Sequence, residues 1–245
     1  MPGSEVPADL YCHQHIGIVL KPKGFYSHAE EDTWIEFAEW IPDYLQSATQ
    51  AALRAEMEKY VSDSDEAGYV YAYEIRDPKP LNEFHIKVGR SVNIAERFNS
   101  WGKQCGSKET ALRGWWPHGI KDGDAANSSS LLTGRINPGE KGKYCHRTER
   151  LIHLELRDIA LNSTHLTPRF QAIALGERQS KRGKAPVQTG LPSKPCPDCK
   201  KMHREIFILQ RATSGELKGR EWELLVKPII KKWGNFVTAH ASKKA

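Results

Sequence analysis

The 245-residue sequence has no run of about 18 apolar residues, so no membrane-spanning helix is expected. Its first residues, MPGSEVPADLYCHQH, lack a basic start followed by a long apolar stretch, which argues against a secretory signal. Cysteine is scarce, and the count of five is odd. A reduced intracellular setting therefore fits better than a disulfide framework. The sequence has no internal repeat, no Gly-rich nucleotide loop, no nucleophile elbow and no dinucleotide fingerprint, which leaves the corresponding enzyme classes little support. What it does have is 39% hydrophobic residues and seven Trp, enough to bury a real core. The formal charge of +6 biases the chain mildly toward polyanionic partners.

Residues 1–28 read as an irregular lead with one strand candidate, Ile16 to Leu20. Trp34, Phe37, Ala38 and Ile41 recur at helical spacing, and Pro42 ends or kinks that helix. A second helix is expected over about 42–60, with Leu45, Ala52, Leu53, Met57 and Tyr60. The stretch 68–75, GYVYAYEI, alternates as a strand. So does 84–89, FHIKVG, with Phe84, Ile86 and Val88 on one face and His85 and Lys87 on the other. Asn93 and Glu96 form a capping-box pattern that opens a helix with Ile94, Phe98 and Trp101 inward. A third strand is expected at 111–116, where alternation puts one of Trp115 and Trp116 inside. A loop is expected over 119–143, a helix from about Arg147 to Leu161, and a flexible insertion over 162–195. A strand candidate lies at 204–210. An amphipathic helix with Trp222, Leu225, Val226, Ile229 and Trp233 on one stripe closes the chain, kinked at Pro228.

Three features carry chemistry. Arg97 lies about 40° from Trp101 and about 60° from Ile94 on its helix, at the rim of the apolar stripe. A charge placed there either snorkels or pairs with an anion. Glu149 and His153 are four residues apart and share one helix face, a place for a metal ion, a proton transfer or a plain ion pair. Finally, CPDCKKMH supplies Cys196, Cys199 and His203, natural ligands for a tetrahedral Zn²⁺ that needs a fourth. Cys145 and His153 are the leading candidates for that fourth ligand, with His146 third. Two reduced cysteines and a surface histidine are the alternative. His13 and His15 near Cys12 are read as non-ligating. The basic runs 178–184 and 231–244 could add salt-sensitive phosphate affinity.

The segments GYVYAYEI, HIKVGRSVNIAERF, HRTERLIHLEL and HREIF, in that order over roughly residues 67–210, resemble the GIY-YIG nuclease superfamily. The resemblance is closest to the branch named after a phage T-five open reading frame described as a DNA-binding domain. That branch also contains fungal meiotically up-regulated proteins. The resemblance implies an α+β fold: a small three-stranded antiparallel sheet flanked by helices, with extra N- and C-terminal helices and a flexible insertion. It implies a nucleic-acid-binding domain over 67–212, between a helical extension over 1–66 and a C-terminal helix over 213–245; the CPDCKKMH spacing adds a zinc knuckle at 196–203. It makes Tyr71 the tyrosine of the first motif and places Lys87 where classical members carry a second tyrosine. Arg97 matches the phosphate-contacting arginine, Glu149 the carboxylate that holds Mg²⁺, and His153 the histidine that follows it. Arg90 is either a phosphate contact or surface charge. The partner implied is double-stranded DNA, and the compartment is the nucleus rather than the cytoplasm. A lysine in the tyrosine position is usual in the phage-type branch, whose label is DNA binding rather than cleavage. The competing reading is a non-catalytic, zinc-stabilised interaction module.

Overall fold

The computed structural model describes residues 13–76, 82–94, 96, 97, 100, 105, 107, 109–117, 138–176 and 194–244. The fold is mixed α+β with two antiparallel sheets. The small one pairs β1 (Gly24–Tyr26) with β2 (Trp34–Glu36). The large one has four strands: β3 (Tyr69–Arg76), β4 (Glu83–Ser91), β5 (Glu109–Trp116) and β6 (Ile206–Gln210), in the order β5-β3-β4-β6. The strand candidate before the C-terminal helix thus joins the sheet as a fourth member, where three were expected.

The large sheet is covered on both faces, and this arrangement decides the site. Val70 and Ala72 of β3, Phe84, Ile86 and Val88 of β4, and Phe207 and Leu209 of β6 face one core. That core is closed by α4 (Cys145–Asn162) and α6 (Lys227–His240). Tyr69, Tyr71 and Tyr73 point the other way and pack with Ile94, Leu112 and Trp115. Alternation along the central strands therefore sorts two interiors rather than a core and a wet face.

Helix α4 forms where its stripe of Leu151, Ile152, Leu156 and Ile159 can be buried, and all four are fully enclosed. Its first turn has no capping side chain of its own. Asp65 from the preceding segment substitutes, accepting the backbone N–H groups of His146 (3.0 Å) and Arg147 (2.8 Å). The helix ends on Ser163, which takes a left-handed conformation. Helix α3 (Ser47–Met57) docks on it through Glu56, whose carboxylate meets Arg150 at 2.8 Å and whose carbonyl accepts Arg147.

Several local expectations gave way to tertiary packing. Residues Ile16 to Leu20, expected as a strand, lie in or just after α1 (His13–Val19), which packs on α3. The helix expected from Trp34 to Ile41 is instead β2 followed by a single turn, α2 (Phe37–Trp40). Ile35 and Phe37, two apart, are the buried pair there, while Trp34 stays 47% exposed beside Tyr26. The second helix is shorter than expected, and Tyr60 lies beyond it, stacked on His28. Within the expected insertion, a 3₁₀ turn (Thr164–Leu166) and α5 (Pro168–Ala174) form, with Phe170 buried against Tyr44. Residues 118–137, 177–193, Phe98, Trp101 and Cys12 lie outside the described residues.

The Asn93 capping box forms as expected: Glu96 N–H donates to Asn93 Oδ1 (3.2 Å) and Asn93 Nδ2 donates to Glu96 Oε2 (3.3 Å). Pro228 stands in the first turn of α6, immediately after a π-helical segment, Trp222–Val226. A proline there removes the donor that the normal ladder would need, and the chain absorbs the loss by widening the preceding turns. Trp115 and Trp116 are both half-buried on opposite sheet faces, Trp115 with the tyrosines and Trp116 with the large core.

Trp116 lies flat against Gly234 of α6, where an added Cβ would meet the indole, its Cδ2 at 2.7 Å. The Gly234→Ala variant should therefore lose about 1–3 kcal/mol of stability to overpacking, although alanine is the better helix former by about 1 kcal/mol. Chemical denaturation checks this; a variant more stable than wild type would mean that the ring can move aside.

Candidate phosphate site and metal centre

The site is built around Gly89. In the antiparallel register Tyr71 stands opposite Gly89 and Tyr73 opposite Lys87, so their side chains share the tyrosine face. Tyr71 lies across the bare backbone of Gly89, where a Cβ would sit 2.7 Å from the tyrosine hydroxyl and 3.3 Å from Glu205 Oε2. Glycine is required by this close approach. The strand β6 begins at Ile206, opposite Lys87. Beyond that point Val88 N–H donates to Glu205 O (3.1 Å), and Val88 O accepts from His153 Nε2 (2.9 Å). The end of β6 therefore delivers Glu205, and α4 delivers Glu149 and His153, to the same edge of β4.

The charged groups are paired one to one. Arg97 Nε donates to the Tyr71 hydroxyl at 2.8 Å. Arg90 Nη1 meets Glu149 Oε2 at 2.6 Å, half exposed on the arginine side and largely buried on the carboxylate side. Lys87 Nζ pairs with Glu205 Oε1; Lys87 is 0% exposed and Glu205 30%. Lys87 was expected on the face opposite Phe84, Ile86 and Val88, and a second core covers that face. Among the described residues, three cations thus stand against two carboxylates here.

Burial pushes the Tyr71 hydroxyl up to about 12, and its hydrogen bond from Arg97 only partly offsets this. Tyr71 is therefore protonated at neutral pH and offers an O–H donor rather than a ready base. Burial lowers the Lys87 pKa against the pull of Glu205. Burial would raise the Glu205 carboxyl, but the charge and hydrogen bond of Lys87 carry it below its ordinary range.

All five expected site residues, Tyr71, Lys87, Arg97, Glu149 and His153, together with Arg90, lie around one end of the central strands β3 and β4. The residue that sequence reasoning missed is Glu205. Its only local signal is its place in HREIF, one position before a strand, and nothing in that stretch reveals its pairing with a lysine 118 positions earlier.

A second cluster lies next to this edge. The ligand atoms of Cys105, Cys196, Cys199 and His203 all lie within 4.8 Å of one another, so the four could hold a metal ion. Cys199 Sγ is 3.2 Å and Cys105 Sγ 3.5 Å from His203 Nε2, and Cys196 Sγ is 3.8 Å from Cys105 Sγ. The fourth position expected for Cys145, His153 or His146 is taken by Cys105. Cys145 and His146 lie instead with Asp65 at the start of α4, where Asp65 already caps the helix. His153 is engaged with Val88. Cys105 stands alone in its stretch, WGKQCGS, without a spacing pattern to identify it.

The segment from 83 to 169 matches a family model described as meiotically up-regulated gene 113. This family is GIY-YIG-related. The meiotically up-regulated gene 113 match starts at β4, ends just inside α5, and is narrower than the 67–210 resemblance read from the sequence. It contains Lys87, Arg90, Arg97, Cys105, Glu149 and His153, and leaves Tyr71, Glu205 and the late cysteines outside. No curated protein and no solved structure matches the chain. Among the described residues, no helix is long and apolar enough to cross a membrane.

Proposed function

We propose that this chain binds double-stranded DNA by holding a backbone phosphate at the Gly89 edge of the sheet. The observation that carries this reading is the convergence of Arg90, Arg97 and Lys87 on Tyr71, Glu149 and Glu205, with one cation in excess. A phosphodiester carries one negative charge, which that excess matches. Arg97 spends one nitrogen on Tyr71, and its planar fork suits a phosphate oxygen pair. Arg90 is the exposed cation of the set and can swing from Glu149 to a phosphate, exchanging one charge-assisted contact for another. Lys87 acts indirectly: buried and tied to Glu205, it keeps that carboxylate ionised and in place rather than touching DNA.

The test is duplex affinity across salt. Wild-type protein should bind a generic duplex, with affinity falling steeply between about 50 and 200 mM salt. The Arg97→Ala variant should bind about 10-fold more weakly and show a salt slope smaller by about one. A wild type that fails to bind at low salt would favour the non-catalytic interaction module.

A second reading, phosphodiester hydrolysis, is favoured by one specific feature: a tyrosine hydroxyl, an arginine and a carboxylate meet at the same strand end. Glu149 fits a hard divalent cation, because Mg²⁺ keeps most of its waters and needs only one or two carboxylates. When bound there, Mg²⁺ supplies charge stabilisation to a phosphate oxygen. Arg97 would steady the developing charge, and Glu205, ionised beside the Tyr71 hydroxyl, is a better proton acceptor than that tyrosine.

A further inference from the structure

We propose that Cys105, Cys196, Cys199 and His203 form a closed structural Zn²⁺ site whose role is to fasten Glu205 into the phosphate site. Tetrahedral zinc with bonds of about 2.0–2.3 Å sets ligand-to-ligand edges of about 3.3–3.8 Å. The edges present here are 3.2 Å for Cys199–His203, 3.5 Å for Cys105–His203 and 3.8 Å for Cys105–Cys196. Three of the six edges thus match tetrahedral zinc, and all four ligand atoms lie within 4.8 Å of one another. Cys105 and Cys196 are buried, and four protein ligands leave no open position, which marks a structural rather than a catalytic centre.

The surrounding backbone has the form of a metal knuckle. Lys200 N–H donates to Cys196 O and Cys196 N–H to Lys201 O, both at 2.9 Å, closing the turn that carries two of the thiolates. Lys200 adopts a left-handed conformation (φ 59°) to allow this, a cost of about 1–2 kcal/mol for a residue with a Cβ. A second clasp joins the same two segments: Asp198 Oδ2 accepts from Ser107 N–H (3.1 Å) and Ser107 Oγ (2.6 Å).

The location supplies the role. Cys105 follows Arg97 on the way to β5, and His203 lies two residues before Glu205. A metal bound by both joins the chain that bears the arginine to the chain that bears the carboxylate. Apart from this site, the Glu205 end of β6 is held by its pairing with β4 and follows a long stretch of Gly, Ser, Lys and Pro from 177 onward. Bringing segments so distant in the chain together costs entropy that a metal clip offsets. This coupling rests on the phosphate-site reading; the zinc site itself does not.

Zinc content and hydrogen exchange test the two parts. Wild type and Cys145→Ser, purified without chelator, should each carry about one zinc per chain. The Cys105→Ser variant should bind zinc at least about 100-fold more weakly in chelator competition. Stripping zinc from wild type should speed exchange of the Val88 amide, which donates to Glu205 O. A metal-free wild type, or undiminished affinity in Cys105→Ser, overturns the site, and unchanged Val88 exchange after chelation overturns the fastening role. Zinc-loaded wild type that binds no duplex overturns the phosphate reading instead and leaves the metal and exchange results standing. Should Cys105→Ser fail to fold, stoichiometry and chelation of wild type give the same decision.

Discussion

Replacing Glu155 with alanine is expected to destabilise the fold by about 3–5 kcal/mol. Glu155 is 0% exposed on α4, and its carboxylate serves three donors from two parts of the chain. Trp233 Nε1 and Lys232 Nζ from α6 both reach Oε2 at 2.6 Å, and the Tyr44 hydroxyl reaches Oε1 at 3.2 Å. Truncation leaves a buried indole N–H and a half-buried phenol without an acceptor, and a fully buried group of this kind costs about 1–3 kcal/mol. Lys232 is partly exposed and can recover water, so its loss adds less. The Glu155→Gln variant should fall between, because an amide keeps an oxygen for Lys232 and Trp233 but loses the charge and turns a donor toward the Tyr44 hydroxyl. Urea unfolding measures both. A cost below about 1 kcal/mol for Glu155→Ala would mean that the C-terminal helix is held by its apolar face alone.

Removing Glu149 is expected to move DNA binding and DNA cleavage in opposite directions. In the duplex-binding reading, Glu149 is a negative charge beside a phosphate and the resting partner of Arg90. The Glu149→Ala variant should therefore bind duplex roughly 3–10-fold more tightly at low salt, the reverse of losing a phosphate contact. In the hydrolytic reading, the same variant loses its cation-holding carboxylate. Any nicking of supercoiled plasmid with Mg²⁺ or Mn²⁺ should then fall by at least about 100-fold. Tighter binding with nicking abolished supports both readings together, and tighter binding with no nicking in either protein supports binding alone. Equal nicking in wild type and variant removes Glu149 from the active site, and unchanged duplex affinity removes it from the phosphate site.

What the sequence by itself determined is local. The strands β3 and β4, the capping box at Asn93 and the long helix α4 follow from period, cap chemistry and an apolar stripe, all contained within short windows. That Glu149 and His153 share one helix face was legible for the same reason. Where windows were short or patterns ambiguous, packing decided: Ile35 and Phe37 fit a strand entering a turn as well as a helix, and the pairing of β2 with β1 settled it.

Only the tertiary structure decided the remainder, because the forces involved act between residues far apart in the chain. Alternation put Lys87 opposite the Phe84, Ile86 and Val88 core, but it does not reveal a second core on that face, so a cation expected at a phosphate is buried against Glu205. Glu205 and Cys105 carry no spacing pattern of their own. The antiparallel pairing of β6 with β4 brings the first to Lys87 and Tyr71, and the return of the 196–203 turn brings the second to its sulfur and imidazole neighbours. Periodicity reports which way a side chain points; register and loop return decide what it meets.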